Sequence, residues 1–170
     1  MLKFIGCIMI FISCYWFGSI KAFGYKERCK ELENIIEIIK FIELEITYKK
    51  EPLSKAFKKA GRIKECWFAS ILKESGSMLE NNESLSASWQ QSLSIQENDC
   101  TIKNEDLTIM EDMIIGLGKS SSEDQRKILE HVSLRLSSNL QKARSQEEKM
   151  GRMYKALGTA VGIVLIVIIL

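Results

Sequence analysis

Two pairs of acidic residues, Glu43/Glu45 and Glu111/Asp112, stand close enough along the chain to suggest general acid–base chemistry. Residues one or two apart do not share a helix face, however, and carboxylates interspersed with lysines are the pattern of a solvated surface. Serines are abundant, but none has a histidine or lysine in a motif that would activate it as a nucleophile. The single histidine, His131, sits among Ile128, Leu129, Val132 and Leu134 with no second ligand in view. It reads as a helix-face or partly packed side chain, since a metal needs several donors. The five cysteines, Cys7, Cys14, Cys29, Cys66 and Cys100, are odd in number and form no CxxC pair. Neither a zinc site nor a disulfide framework follows, and free thiols suit a cytoplasmic middle domain. No glycine run resembles a phosphate loop. We therefore expect no enzymatic activity, no metal, no cofactor and no small-molecule substrate.

A formal net charge of +2 over 170 residues also argues against nucleic-acid binding through a basic surface. What remains is contact chemistry. Trp89 is spaced with Leu85 and Leu93 on one helix face, the usual position of a core tryptophan. Tyr48 stands just before the only proline, where its amphipathic ring is expected to brace a turn or meet a partner.

The elements that position these residues are helical. In "KELENIIEIIKFIELEITY", Leu32, Ile35, Ile36, Ile39, Ile42 and Ile46 recur at three- and four-residue intervals, one amphipathic helix. Pro52 suits the first turn of a second helix that stops at Gly61. A third is expected from about Lys64 to Asn81, carrying Trp67, Phe68, Ile71, Leu72 and Met78, and a fourth after Ser84 as cap. A polar linker, "QENDCTIK", leads to a fifth helix with Asn104 as N-cap and Gly118 as C-cap. The sixth opens at Ser120 and Ser121, each with an acid three residues on, a capping-box pattern. It meets no breaker stronger than glycine before the tail.

Two uncharged runs stand at the ends. Residues 4–20, "FIGCIMIFISCYWFGSI", are bracketed by Lys3 and Lys21 and would span roughly 26 Å as a helix, near the minimum for a bilayer core. "AFG" at 22–24 loosely fits a signal-peptide cleavage site, but the apolar run is longer than such peptides carry and Lys21 interrupts the approach. An uncleaved anchor is expected. The second run, "ALGTAVGIVLIVIIL", reaches about 27 Å when counted from Met153 with Lys155 snorkelling toward the headgroups. Cys14 and Gly18 in the first run and Gly158 and Gly162 in the second are small-xxx-small pairs that let membrane helices approach closely. Lys21, Lys26, Arg28 and Lys30 after the first run, and Arg144, Lys149, Arg152 and Lys155 before the second, place the middle in the cytoplasm by the positive-inside rule. The expected organisation is all-α: an N-terminal transmembrane anchor (1–21), a six-helix bundle-like cytoplasmic domain (22–152) and a C-terminal transmembrane segment (153–170).

Four stretches, "ELEITYKKEPL", "SASWQQSL", "GLGKSSSEDQ" and "EKMGRMYKALGTAVGI", in this order between two apolar ends and after the opening "MLKFIG", closely resemble the stage III sporulation protein AB family of endospore-forming bacteria. Two positions depart from the family's pattern: Glu51 stands where a threonine precedes the proline, and Ser121 where an aspartate opens the last helix. The resemblance implies a component of the channel, or feeding tube, between mother cell and forespore, lying in the mother-cell membrane. It implies a domain similar to the cytoplasmic domain of the type II secretion platform protein F, and as partners the cytoplasmic ATPase stage III sporulation protein AA and other membrane components of the channel. An adaptor without chemistry acts through its surface, so the turn carrying Tyr48, Lys49, Lys50 and Pro52 and the segment from Gly118 to Gln125 are the candidate docking residues. The alternative class is a membrane-tethered helical signalling or regulatory protein, distinguished by a conformational response to a ligand.

Overall fold

The computed structural model describes residues 2–81, 83–95 and 101–169; in the terminal helices the side chains of 2–8, 10–11, 14–15, 17–18, 122, 155, 162 and 165–169 are outside the description. Those residues form six helices: α1 (Leu2–Thr47), α2 (Leu53–Ala60), α3 (Trp67–Glu80), α4 (Leu85–Ile95), α5 (Asn104–Lys119) and α6 (Ser122–Ile169). No strand occurs among the described residues. The chain divides into two compact units, one of residues 30–140 and one of residues 1–29 with 141–170.

In the 30–140 unit the expected amphipathic face of α1 is buried: Leu32, Ile35, Ile36, Ile39, Ile42 and Ile46 all lie in the core, joined by Ile38. Isoleucine is a mediocre helix former, costing a few tenths of a kcal/mol per residue relative to alanine, whereas burying each side chain contributes about 1.5–3 kcal/mol. Packing, not propensity, holds this segment helical. Trp89 is in the core as expected, 2% exposed and edge-on to Phe68 with ring centroids 6.1 Å apart. α3 packs on both α2 and α4.

α2 and α3 approach each other closely. A Cβ at Gly61 would lie 2.6 Å from Lys73 Cβ and 2.7 Å from the Ala69 carbonyl oxygen. A Cβ at Gly76 would lie 2.9 Å from both Lys58 Cγ and the Ser54 carbonyl oxygen. The two helices therefore run antiparallel with a glycine from each fitted against the other's backbone, and Lys58 closes the pair by bonding Glu80 at 2.7 Å. Gly61 does end α2 as expected, but with φ of −67°, so its role is space and not a left-handed conformation. Between α3 and α4 the Phe68–Trp89 contact is accompanied by small polar side chains: Ser75 Oγ bonds Ser92 Oγ at 3.1 Å, and Ser75, Ser88 and Ser92 are all buried.

Several helix ends differ from the sequence reading. Pro52 is the N-cap of α2 in an extended conformation and not its first helical residue. Lys103, not Asn104, is the N-cap of α5, and α5 continues past Gly118 to Lys119, with an extended Ser120 as its C-cap. Shifts of this size follow from fraying at helix ends. Ser84 caps α4 as expected, accepting from the Ala87 amide at 3.3 Å. Ser121 opens α6 differently: its hydroxyl donates to Asp124 Oδ2 at 2.7 Å instead of accepting an amide.

In the unit of residues 1–29 and 141–170, segments of α1 and α6 lie side by side. Tyr25 stacks on Tyr154 with centroids 6.2 Å apart, Arg28 Nη1 donates to Gln146 Oε1 at 3.4 Å, and a Cβ at Gly151 would sit 4.0 Å from Ala22 Cβ. Gly24 lies inside α1 and does not interrupt it. Among the described residues no helix is long and apolar enough to cross a membrane. The large apolar residues that are described along the terminal runs, Met9, Ile12, Trp16, Ile20, Leu157, Val161, Ile163 and Val164, are all exposed. The expected contacts of Cys14, Gly18 and Gly162 fall outside the described side chains; Gly158 is half-buried.

Candidate functional site

The turn between α1 and α2 is tied down by one carboxylate. Glu45, expected on a solvated surface, is 1% exposed. It accepts from Lys49, two residues past the end of α1, and from Lys59 Nζ of α2 at 2.8 Å, and Lys59 also holds Glu51 at 2.9 Å. Hydrogen bonds from Lys49 and Lys59 hold the Glu45 carboxyl below its ordinary range against the opposing effect of burial, and Lys59 does the same for Glu51. Glu51 thus joins an ion-pair network at the position where the resemblance leads one to look for threonine.

Lys50 completes the turn with φ of 50°, the left-handed region in which a non-glycine residue is uncommon. That conformation brings the Glu51 amide back to the Glu45 carbonyl oxygen at 3.1 Å, so an otherwise orphaned C-terminal carbonyl of α1 is satisfied. Glu45 therefore fixes the turn twice, by backbone and by side chain.

At the other candidate segment, Gln125 bridges two carbonyls left over at the end of α5: its Nε2 donates to Leu117 O at 3.1 Å and to Ser120 O at 3.4 Å. Gly118 is exposed, and a Cβ there would meet only Leu85 of α4, at 3.6 Å.

These two segments, 65 or more residues apart in sequence, meet at a cleft of about 630 Å³. Lys50, Pro52 and Gln125 line it together with Thr47, Leu53 and Arg126. Tyr48 and Lys49 do not line it but adjoin Lys50, Tyr48 with 79% of its surface exposed. Gly118 belongs to the α4 contact instead. Thr47 Oγ1 is buried with no hydrogen-bond partner among the described residues. The cleft offers an apolar wall and charges of both signs, Lys50 and Arg126 against Glu51 and Glu123, and its backbone frame is set by the Glu45 network and the Gln125 cap.

His131 is exposed on α6, and among the described residues no group of acids, cysteines or histidine is arranged to hold a metal. Of the cysteines, Cys29 is buried and Cys66 half-buried, with burial pushing the Cys66 thiol up; neither is in a disulfide. Cys100 lies outside the described residues. A further buried polar pair escaped the sequence reading: Asn139 Nδ2 donates to Asp106 Oδ1 at 2.8 Å, with Asp106 fully buried.

The family description "Stage III sporulation protein AB" matches residues 3–170. The chain belongs to the stage III sporulation protein AB family. The Bacillus subtilis (strain 168) member is 23% identical over 171 residues, with both chains covered completely. A solved structure of a stage III sporulation protein AB is similar with a TM-score of 0.66 at 18% identity, over 72% of this chain and 98% of that one. At that identity the likeness speaks to the fold alone. Membership gives the chain a sporulation role, and the relatives carry the names of sporulation proteins, not of enzymes.

Proposed function

We propose that this stage III sporulation protein AB family member is a membrane-anchored, non-enzymatic adaptor of the channel joining mother cell and forespore, lying in the mother-cell membrane and docking a cytoplasmic ATPase, stage III sporulation protein AA. The observation that carries the docking reading is the convergence of the Tyr48–Leu53 turn and the Gln125 cap on one cleft. An exposed tyrosine next to a cleft with a rigid frame is the kind of anchor that dominates protein interfaces. Membrane anchorage is supported by the uncharged runs at 4–20 and 156–170 and by the exposed apolar side chains along them, which otherwise face water at a cost. Basic residues flanking both runs then put the middle of the chain on the cytoplasmic side.

The test is binding of the ATPase to the full chain held in detergent micelles. Lys49 must be left in place, because its ammonium holds the buried Glu45 and its reversal would damage the turn itself. Tyr48→Ala and Lys50→Glu touch exposed side chains and should leave folding within about 0.5 kcal/mol. Loss of binding by ten-fold or more with unchanged helical content supports the docking face; unchanged binding by both variants places the interface elsewhere.

A further inference from the structure

The formal charge is divided unevenly between the two compact units. Residues 1–29 and 141–170 carry nine lysines and arginines against three glutamates, while residues 30–140 carry fifteen against nineteen acids. A near-neutral chain is thus a unit of +6 and a unit of −4. Within the basic unit, Lys21 and Lys26 of α1 and Lys149 and Arg152 of α6 are exposed, and so are the apolar neighbours Ile20 and Phe23. Lys26 and Arg152 both line a cleft of about 590 Å³ between the two helices that also includes Ala22 and Phe23.

Cations beside exposed apolar side chains, next to an uncharged run, match an interface with phosphate above and hydrocarbon below. We propose that this unit binds anionic phospholipid headgroups through Lys21, Lys26, Lys149 and Arg152, and so selects the lipids around the anchors. The proposal rests on the membrane-anchored reading above. The opposing groups are weak: Glu147 and Glu148 also line the cleft, but the Arg152–Glu148 pair spans 3.5 Å with both side chains more than 70% exposed. Such a pair is worth little and yields readily to a phosphate.

Tryptophan fluorescence supplies the test. Trp16 is 69% exposed within the first apolar run, whereas Trp67 and Trp89 are buried in the other unit. In vesicles of the full chain, brominated acyl chains quench Trp16 according to which lipid surrounds it. Brominated phosphatidylglycerol should quench more strongly than brominated phosphatidylcholine at the same mole fraction. At about 1 kcal/mol for each cation near the surface, losing two of them lowers the preference by roughly thirty-fold. The variant with Lys21, Lys26, Lys149 and Arg152 all changed to Gln should abolish the difference, as should molar salt. A variant with the exposed Lys40, Lys55, Arg62 and Lys73 changed to Gln should keep it. Equal quenching by the two lipids in the unaltered chain, or equal loss in both variants, overturns the headgroup proposal alone. Absence of quenching by either lipid overturns membrane anchorage and the proposal with it.

Discussion

Replacing Gly61 by alanine adds one methyl group where three atoms already stand too close. The new Cβ would meet Lys73 Cβ at 2.6 Å, Ala69 O at 2.7 Å and Lys73 N at 2.8 Å, two of them backbone atoms that no rotamer change can move. α2 and α3 must then separate by roughly 0.5–1 Å, an overpacking cost of about 1–3 kcal/mol. The conformation itself is neutral, since φ of −67° and ψ of −2° suit alanine, and the stiffer unfolded chain returns about 0.4–1 kcal/mol. The net expectation is destabilisation by about 1–2 kcal/mol, or roughly 2–8 °C in melting temperature for a chain of this size. Gly118→Ala is the control: its Cβ would find Leu85 at ordinary contact distance, so the propensity gain survives and stability should rise by up to about 1 kcal/mol. Circular dichroism melts of the full chain in detergent give the sign. Amide hydrogen exchange in α3 localises it, because the change should lower protection there first. Gly76→Ala opens the same contact from the other side, so the double variant should lose less than the two single losses added together. If Gly61→Ala stabilises the protein as Gly118→Ala does, the glycine-to-backbone contact described here is wrong.

Glu45→Gln should flatten the acid limb of the stability curve. The lowered folded-state pKa means this carboxylate contributes fully above its ordinary value of 4.5 and loses its contribution as pH falls through the folded value, so wild type and variant should differ at neutral pH and converge in acid melts. Asn139→Leu removes a donor from the buried Asp106 and should destabilise by about 1–3 kcal/mol in a denaturant titration, with a smaller loss in an Asp106→Asn background. Cys66, half-buried with its thiol pKa raised chiefly by desolvation, should react with maleimide more slowly than a free thiol near neutral pH and accelerate as pH rises, when followed by mass spectrometry in permeabilised cells.

The six helices were legible because each signal is local. The Ile-rich face of α1, the Ser84 cap and the breaks at Pro52 and Gly61 lie within a few residues of the structure they cause. The close approach of α2 and α3 was not legible, because Gly76 looks like any mid-helix glycine until the partner helix is placed. Glu45 misled for a similar reason: an i,i+4 lysine marks both a solvated helix face and a buried carboxylate, and only Lys59 on another helix distinguishes them. Tyr48, Lys50, Pro52 and Gln125 are legible as candidate docking residues at two helix junctions, but no spacing rule shows that residues of both segments share one cleft. Asp106 and Asn139 lie 33 residues apart on different helices, beyond the reach of any periodicity.

The pairing of α1 with α6 also sets an order of events during synthesis. α2, α3 and α4 find their partners among sequence neighbours, so their contacts close short loops and can form early. Arg28 must wait for Gln146, 118 residues later, and Tyr25 for Tyr154. The start of α1 therefore leaves the ribosome long before its companion exists, and in that interval its apolar face needs either lipid or a chaperone.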